Sequence, residues 1–153
     1  MIVVECKPDA ALFEKLGFPR KSIQHRATFG KGEVLRRLEG SRSVRLVVDE
    51  DPLQGQPPPL TGLPIQDLPH YHLKVADKGQ NRVIIICPRL EEWLLWLAKQ
   101  ADVDPVDYGL PGEARILRKV VNKRLDNLEK FLEDLLMKQR SREILQVLRG
   151  LLD

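Results

Sequence analysis

The sequence predicts an α/β domain with a mostly parallel sheet flanked by helices, followed by a C-terminal helical extension. Three runs of strand length, at residues 2–4, 22–29 and 44–48, alternate with two segments of helical spacing. Alternation of strands and helices along a chain is typical of a parallel sheet that helices cover. Beyond residue 102 the apolar residues show helical spacing alone, which predicts the extension.

The first half of the chain contains the clearest signals for individual elements. Residues 2–4 are all apolar and β-branched, as in a strand buried on both faces. Pro8 suits the first turn of a helix, and Gly17 ends that helix. Residues 33–38 form a second predicted helix, and the strand at 44–48 leads directly into an acidic turn.

The second half of the domain begins with a proline-rich segment, residues 52–69, which contains six prolines and is predicted to be a long loop. Because it starts at the acidic turn, it could act as a lid. Residues 71–75 and 82–87 then predict a hairpin, and residues 90–100 predict a helix in which two tryptophans anchor the core.

A turn-rich segment at residues 102–112 marks the best internal boundary. It contains two prolines and two glycines, and it divides the chain into a domain at 1–101 and an extension at 102–153. Within the extension, the spacing predicts one long helix over 113–139 and a shorter one over 142–152.

Composition sets broad limits on the function. The chain has 153 residues, 42% of them hydrophobic and 31% charged, with a net charge of +3, which suits one globular domain and permits a nucleic-acid partner. No apolar run approaches the length of a membrane span or of a signal peptide, so we expect a cytoplasmic protein without membrane contact. The two cysteines, Cys6 and Cys87, form no disulfide framework, and we expect inert thiols.

Three carboxylates at strand ends are the strongest candidates for a functional site. Glu5 follows the first strand, and Asp49 and Asp51 follow the third. Parallel pairing of these strands would bring the three side chains to the same edge of the sheet. Carboxylate oxygens suit Mg²⁺, and a cation would relieve the repulsion between them. The alternative is a polar turn without a ligand.

The same residues carry a resemblance to a known family. A strand ending in Glu5, with Asp9 opening a helix, and then a strand ending in Asp49-Glu50-Asp51, resembles the Toprim domain of topoisomerases, primases and overcoming-lysogenization-defect nucleases. The resemblance covers roughly residues 1–100. It also includes a segment after the last strand, Pro88-Arg89-Leu90-Glu91-Glu92-Trp93, which is similar to that of small standalone Toprim-like proteins.

The resemblance implies a site and an activity. Glu5 matches the catalytic Glu of the family and a metal ligand, Asp49 and Asp51 match its Mg²⁺ (or Mn²⁺) ligands, and Glu92 is a weaker acidic match. The implied function is phosphodiester processing by a nuclease-like hydrolase, or binding, of DNA or RNA. The chain departs from the family where Cys6 replaces the usual Gly after the Glu, and where Pro52 follows the acidic pair.

Basic residues suggest where a nucleic acid would lie. Lys31 stands in a Gly-Lys-Gly turn before a helix, and four cations of the long helix fall at spacings that share one face. These four are Arg115, Arg118, Lys119 and Lys123. The alternative is an ordinary turn and a solvated helix face.

A second class of function is an interaction module without catalysis. Phe131, Leu132, Leu135 and Leu136 are four large apolar residues within six positions, more than a narrow stripe requires. Such a face could dock a partner or a second copy of the chain as a homodimer, or it could pack on the α/β domain.

Overall fold

The computed structural model describes residues 1–25, 30–40, 42–53, 55 and 57–153. Within these ranges the chain forms a six-stranded sheet and six α-helices. The strands are β1 (Ile2–Val4), β2 (Ile23–Gln24), β3 (Arg45–Asp49), β4 (Ile65–Leu68), β5 (Leu73–Lys78) and β6 (Asn81–Ile86). The helices are α1 (Lys7–Lys15), α2 (Lys31–Leu35), α3 (Leu90–Gln100), α4 (Ala114–Val120), α5 (Leu125–Met137) and α6 (Gln139–Leu152).

The sheet is mixed and mostly parallel, in the order β2-β1-β3-β6-β5-β4. The pairs β1–β2, β1–β3 and β3–β6 are parallel, whereas β5 pairs antiparallel with both β6 and β4. The predicted α/β class with a mostly parallel sheet is therefore confirmed. The order places the carboxyl ends of β1, β3 and β6 side by side.

Alternate residues of the central strands enter two cores on opposite faces of the sheet, as the two-residue period of a strand requires. Val47 and Ile84 lie in the larger core with α1, α3 and the C-terminal helices. Val48 and Ile85 lie in the smaller core with Leu35 of α2. Phe131 of α5 is fully buried in the larger core, so the C-terminal helices pack on the sheet domain.

The proline-rich segment contains a strand that the sequence prediction missed. Residues Ile65–Leu68 form β4 and pair with β5 at the edge of the sheet, so a continuous loop over 52–69 was wrong. Prolines flank this strand at Pro64 and Pro69 but do not interrupt it, and an edge strand tolerates such neighbours. Tyr71 falls in the following 3₁₀ turn, so β5 starts at Leu73 rather than at residue 71 as expected.

The long helix predicted over 113–139 is also wrong, because the chain breaks into α4 and α5. A 3₁₀ turn at Val121–Lys123 separates the two helices. Val120, Val121 and Asn122 are weak helix formers, which favours a break there. Asp126 in the first turn of α5 suits the start of a new helix.

Other elements lie close to their expected positions. The helix at 90–100 is confirmed, and α6 starts three residues earlier than predicted. Only residues 23–24 of the expected strand at 22–29 form β2, and residues 26–29 lie outside the described ranges. Within the part of the chain that the structure describes, no helix has the length and apolarity needed to cross a membrane.

Candidate functional site

The carboxyl ends of β1, β3 and β6 meet at one edge of the sheet, which we call the acidic edge. Glu5 follows β1, and Asp49 is the last residue of β3. The Asp49 N–H donates to Glu5 Oε2 over 2.9 Å, so parallel pairing brings these two residues together as expected. Asp49 Oδ1 in turn accepts the N–H of Leu90, the first residue of α3, over 3.0 Å.

Asp9 adds a third carboxylate that the prediction did not assign to the site. Its side chain is only 3% exposed. Asp9 Oδ2 accepts the Cys6 N–H over 3.2 Å and the Cys6 thiol over 2.9 Å. The backbone bond is the return bond of a helix capping box, so Asp9 fixes the start of α1 as well as adding negative charge.

Burial and mutual repulsion raise the pKa of several of these carboxyls. Burial raises the pKa of Asp49 to about 9, and the nearby charges of Asp9, Glu5 and Glu91 add to this effect. Burial likewise raises the pKa of Asp9 to about 7. The edge therefore holds more carboxyls than it can ionise together without a compensating cation.

The pKa values of two further carboxyls are also raised. Burial raises the pKa of Glu5, although the Asp49 N–H and the charge of Lys31 partly offset it. Burial also raises the pKa of Glu91, which is 8% exposed at the start of α3, and Arg118 partly offsets that increase.

The two thiols are suppressed as nucleophiles. Burial and the neighbouring carboxylate of Asp9 raise the pKa of Cys6 far above its usual range, despite its place at a helix N-terminus. Burial and Glu50 raise the pKa of Cys87 to about 12. Both thiols are therefore protonated near neutral pH, which agrees with the expected inert cysteines.

Asp51 lies at the same edge but its side chain has a different partner. Its backbone is left-handed, with φ +49°, and its N–H donates to the carbonyl of Pro88 over 2.9 Å. Its carboxylate accepts a hydrogen bond from Arg89 Nη2 over 2.7 Å. Arg89 also lies 3.6 Å from Glu92, so it neutralises part of the charge at this end of the edge.

The donor set suits a hard cation, but the three predicted ligands do not form a complete metal site. Among the described residues, Glu5 Oε1 and Asp49 Oδ2 accept no hydrogen bond and are not sealed from solvent. The described part of the chain contains no group of three or more His, Cys, Asp or Glu side chains arranged to hold a metal. Two carboxylates completed by water still match the usual protein contribution to a Mg²⁺ site.

Lys31 brings positive charge close to the acidic edge. Its ammonium donates to the backbone carbonyl of Glu50 over 2.7 Å. Its electrostatic effect on Glu5 shows that the two groups are near one another.

The four cations of the C-terminal segment do not form the free face that the sequence suggested. Arg118 Nη2 lies 2.7 Å from Glu92, and Arg115 lies 3.8 Å from Glu113, so both have acidic partners. Lys123 lies in the 3₁₀ turn after α4, so it does not continue the α-helical face that contains Lys119. The unbroken helix that this prediction assumed is absent, and contact of the four cations with a nucleic acid stays a prediction.

Asp9, Arg89 and Glu91 are the members of the edge that the sequence prediction missed. Their signal was present, since Asp9 stands in the first turn after one parallel strand, and Arg89 and Glu91 follow another. Placing Arg89 and Glu91 at the site required knowing that β6 pairs with β3, which the local sequence does not show.

Comparison with known proteins identifies no relative for this fold and edge. No protein-family model matches the chain, and neither a curated protein nor a solved structure matches it. The resemblance to Toprim domains accordingly rests on the residues of the two strand-end motifs.

Proposed function

We propose that the acidic edge binds Mg²⁺ or Mn²⁺ and acts on phosphodiester bonds of nucleic acid. The observation that carries this proposal is the hydrogen-bonded pair of Glu5 and Asp49, half-buried at adjacent strand ends with raised pKa values. Buried carboxyls with strongly perturbed pKa values are concentrated at functional sites.

The pair has the chemistry of a site that a cation completes. Glu5 and Asp49 each use one oxygen to fix the backbone, and each keeps a second oxygen that accepts no hydrogen bond from the described residues. These two oxygens would hold the ion, while Asp51 stays paired with Arg89 or exchanges that partner. When bound, the ion would neutralise charge that develops on a phosphate.

The residues around the pair have separate roles in this proposal. Glu5, whose pKa burial raises, would accept and return the proton in this reaction. Arg89 and Lys31 flank the carboxylates and supply charge that suits phosphate oxygens. Exposed Lys119 and Lys123 have no ion-pair partner in the described part of the chain, so they remain candidates for contact with the nucleic-acid backbone.

Calorimetry on the intact protein tests metal binding directly. We expect the wild type to bind Mn²⁺ and Mg²⁺, and the Asp49→Asn variant to lose most of that affinity while its circular dichroism spectrum is unchanged. Asp67→Asn is the matched control, because Asp67 is exposed on β4. Equal Mn²⁺ binding by wild type and Asp49→Asn would exclude the assigned site.

A second experiment tests the chemistry. The wild type and Glu5→Gln are incubated with labelled single-stranded DNA, duplex DNA and RNA, in Mn²⁺ or in EDTA. We expect metal-dependent cleavage or binding by the wild type. Loss of cleavage with retained Mn²⁺ binding in Glu5→Gln would indicate a role for this carboxyl in proton transfer.

The alternative function, an interaction module, loses the surface that suggested it. Phe131, Leu132 and Leu135 are at most 1% exposed, since they lie in the core between the C-terminal helices and the sheet domain. This apolar face therefore packs within the chain. A homodimer would need another surface, and light scattering measures its presence directly.

A further inference from the structure

We propose that a cavity beside the acidic edge is a binding site for a nucleotide phosphate. The cavity has a volume of about 270 Å³ and lies on the sheet face that carries α2. We call it the lysine pocket, and seven described residues line it. They are Lys31, Glu50, Pro52, Leu60, Ile65, Lys74 and Ile85.

Strand pairing explains how a lysine comes to lie beside an apolar wall. Lys74 of β5 is directly opposite Ile85 of β6 in the antiparallel ladder. Directly opposed residues place their side chains on the same face of a sheet. Ile85 is buried in the smaller core, whereas Lys74 extends to the pocket, so the lysine lies where the apolar core meets the cavity.

The pocket has an excess of positive charge. The Lys74 ammonium lies 2.5 Å from Glu50 Oε2, so these two charges offset each other. The Lys31 ammonium donates to the carbonyl of Glu50, which carries no net charge. Lys31 therefore has no ion-pair partner among the described residues, and two of its three N–H groups have no acceptor there.

The remaining walls indicate what kind of anion would fit. Leu60, Ile65 and Ile85 provide apolar surface around the two ammonium groups. A volume of about 270 Å³ lies just below the lower end, about 300 Å³, of the range for small-molecule pockets. A phosphate attached to a sugar or base satisfies both the charge and the apolar walls.

The position of Glu50 connects this pocket to the acidic edge. Glu50 lines the pocket and stands between Asp49 and Asp51 in the chain, and Lys31 influences Glu5 electrostatically. A phosphate held by Lys31 would therefore lie next to the carboxylates. This assignment deepens the proposed function and rests on it for the identity of the ligand, either a strand end or a free nucleotide.

Methyl NMR in EDTA tests the pocket without any metal. The isoleucine methyl groups are labelled, and the protein is titrated with a 5′-phosphorylated thymidine dinucleotide, the same dinucleotide without the phosphate, and thymidine 5′-monophosphate. We expect Ile65 and Ile85 to shift with the phosphorylated compounds only. Equal shifts with the unphosphorylated dinucleotide, or no shifts, would overturn the proposal.

The relative affinity of the two phosphorylated compounds identifies the source of the phosphate. Tighter binding of the dinucleotide supports a nucleic-acid strand end. Equal or tighter binding of the monophosphate supports a free nucleotide and overturns the strand-end assignment.

Substitutions provide the sharper test. Lys31→Met should weaken binding of the phosphorylated dinucleotide at least about tenfold, the usual scale for a lost charged hydrogen bond. Lys78→Met is the control, because Lys78 lies at the end of β5 outside the pocket and pairs with Glu39 over 2.6 Å. An equal loss in both variants would show that general charge, rather than the pocket, determines binding.

Glu50→Gln should strengthen phosphate binding several-fold, because it removes the like charge and frees Lys74. Weaker binding in this variant would overturn the pocket even if Lys31→Met behaves as expected. All these measurements use EDTA and so do not depend on metal. Phosphate binding by a protein that does not bind Mn²⁺ would support the lysine pocket and contradict the metal site proposed at the acidic edge. Mn²⁺ binding by a protein that does not bind the phosphorylated compounds would overturn the lysine pocket and support the metal site at the acidic edge.

Discussion

The acidic edge and the C-terminal helices both adjoin the sheet, but the edge surrounds carboxyl groups whereas the helices bury apolar side chains. The edge encloses carboxyls, and burial raises the pKa of both Asp49 and Asp9. The helices α5 and α6 enclose hydrocarbon, with Leu128, Phe131 and Leu145 fully buried. Apolar burial stabilises a fold, whereas burial of carboxyls destabilises their charged form.

The difference shows where this protein departs from simple folding requirements. A sequence selected for stability alone would not place Glu5, Asp9, Asp49 and Glu91 within mutual repulsion. Hydrogen bonds fix Glu5 and Asp49 in place without supplying a positive charge. This repulsion is the reason for proposing a cation there, while the apolar core of the helices stabilises the fold.

The largest expected change in the free energy of unfolding comes from a substitution in the C-terminal helices. Phe131→Ala should lower the free energy of unfolding by about 3–5 kcal/mol, because it removes a fully buried ring and leaves a cavity. Met137→Ala on the same helix is the control, since Met137 is 78% exposed and should change stability by less than about 0.5 kcal/mol. Urea unfolding followed by circular dichroism measures both. Similar small losses would show that the helices do not provide the main core.

The next effect lies at the acidic edge and depends on pH. Burial raises the pKa of Asp49 from 3.8 to about 9 in the folded state. Between these two pH values the folded state therefore binds a proton that the unfolded state does not. The contribution of this group to stability should therefore be greatest below pH 3.8 and fall steadily as the pH rises to about 9. The Asp9 contribution falls in the same direction and ends near pH 7. We expect the free energy of unfolding in metal-free buffer to decline from pH 5 to pH 9.

The control variants isolate Asp49 within that pH profile. Asp49→Asn removes the titrating group, so the decline above pH 7 should become flatter. Asp67→Asn should retain the full decline, since Asp67 is exposed. Urea unfolding at several pH values in EDTA measures all three proteins. A wild-type profile that rises from pH 5 to 9 would contradict the repulsion at the edge.

The same contrast explains what the sequence could predict. Residues 44–48 and 82–87 are apolar and short, so burial determines their structure locally, and both became strands. Glu5 and Asp49 were found because parallel strands end at one edge. These features depend on local pattern and a general rule of topology.

The remaining features depend on contacts distant in sequence. Arg89 reaches Asp51 only because β6 lies beside β3, and Arg118 reaches Glu92 only because α4 lies against α3. The strand at Ile65–Leu68 forms because β5 offers an open edge, whereas its own residues show a weak pattern. Tertiary pairing overrides local propensity in each case.

Arg118 connects the two regions and should have a smaller effect. It lies 2.7 Å from Glu92 and 3.9 Å from Glu91, but its side chain is 40% exposed, so solvent screens the pairs. Arg118→Ala should lower stability by at most about 1 kcal/mol at pH 8. The loss should be smaller at pH 5, because the raised pKa of Glu91 then favours its neutral form.

Lys119→Ala provides the control for that variant, since Lys119 is the adjacent exposed cation without an ion-pair partner in the described ranges. Thermal unfolding at pH 5 and pH 8 separates the two. An Arg118→Ala loss that does not depend on pH would mean that the aliphatic part of Arg118, rather than its charge, connects α4 to the edge.

The smallest change in the free energy of unfolding should come from removing the ion pair between α1 and α5. Lys15 Nζ lies 2.6 Å from Glu133, but both side chains are partly exposed, with 58% of the Glu133 side chain accessible. Lys15→Met should change the unfolding free energy by at most about 0.5 kcal/mol, and 1 M salt should abolish the difference. Lys130→Met is the matched control on the exposed face of α5. A loss well above about 0.5 kcal/mol that 1 M salt abolishes would mean that charge rather than hydrocarbon attaches the C-terminal helices, and the contrast between the two regions would fail.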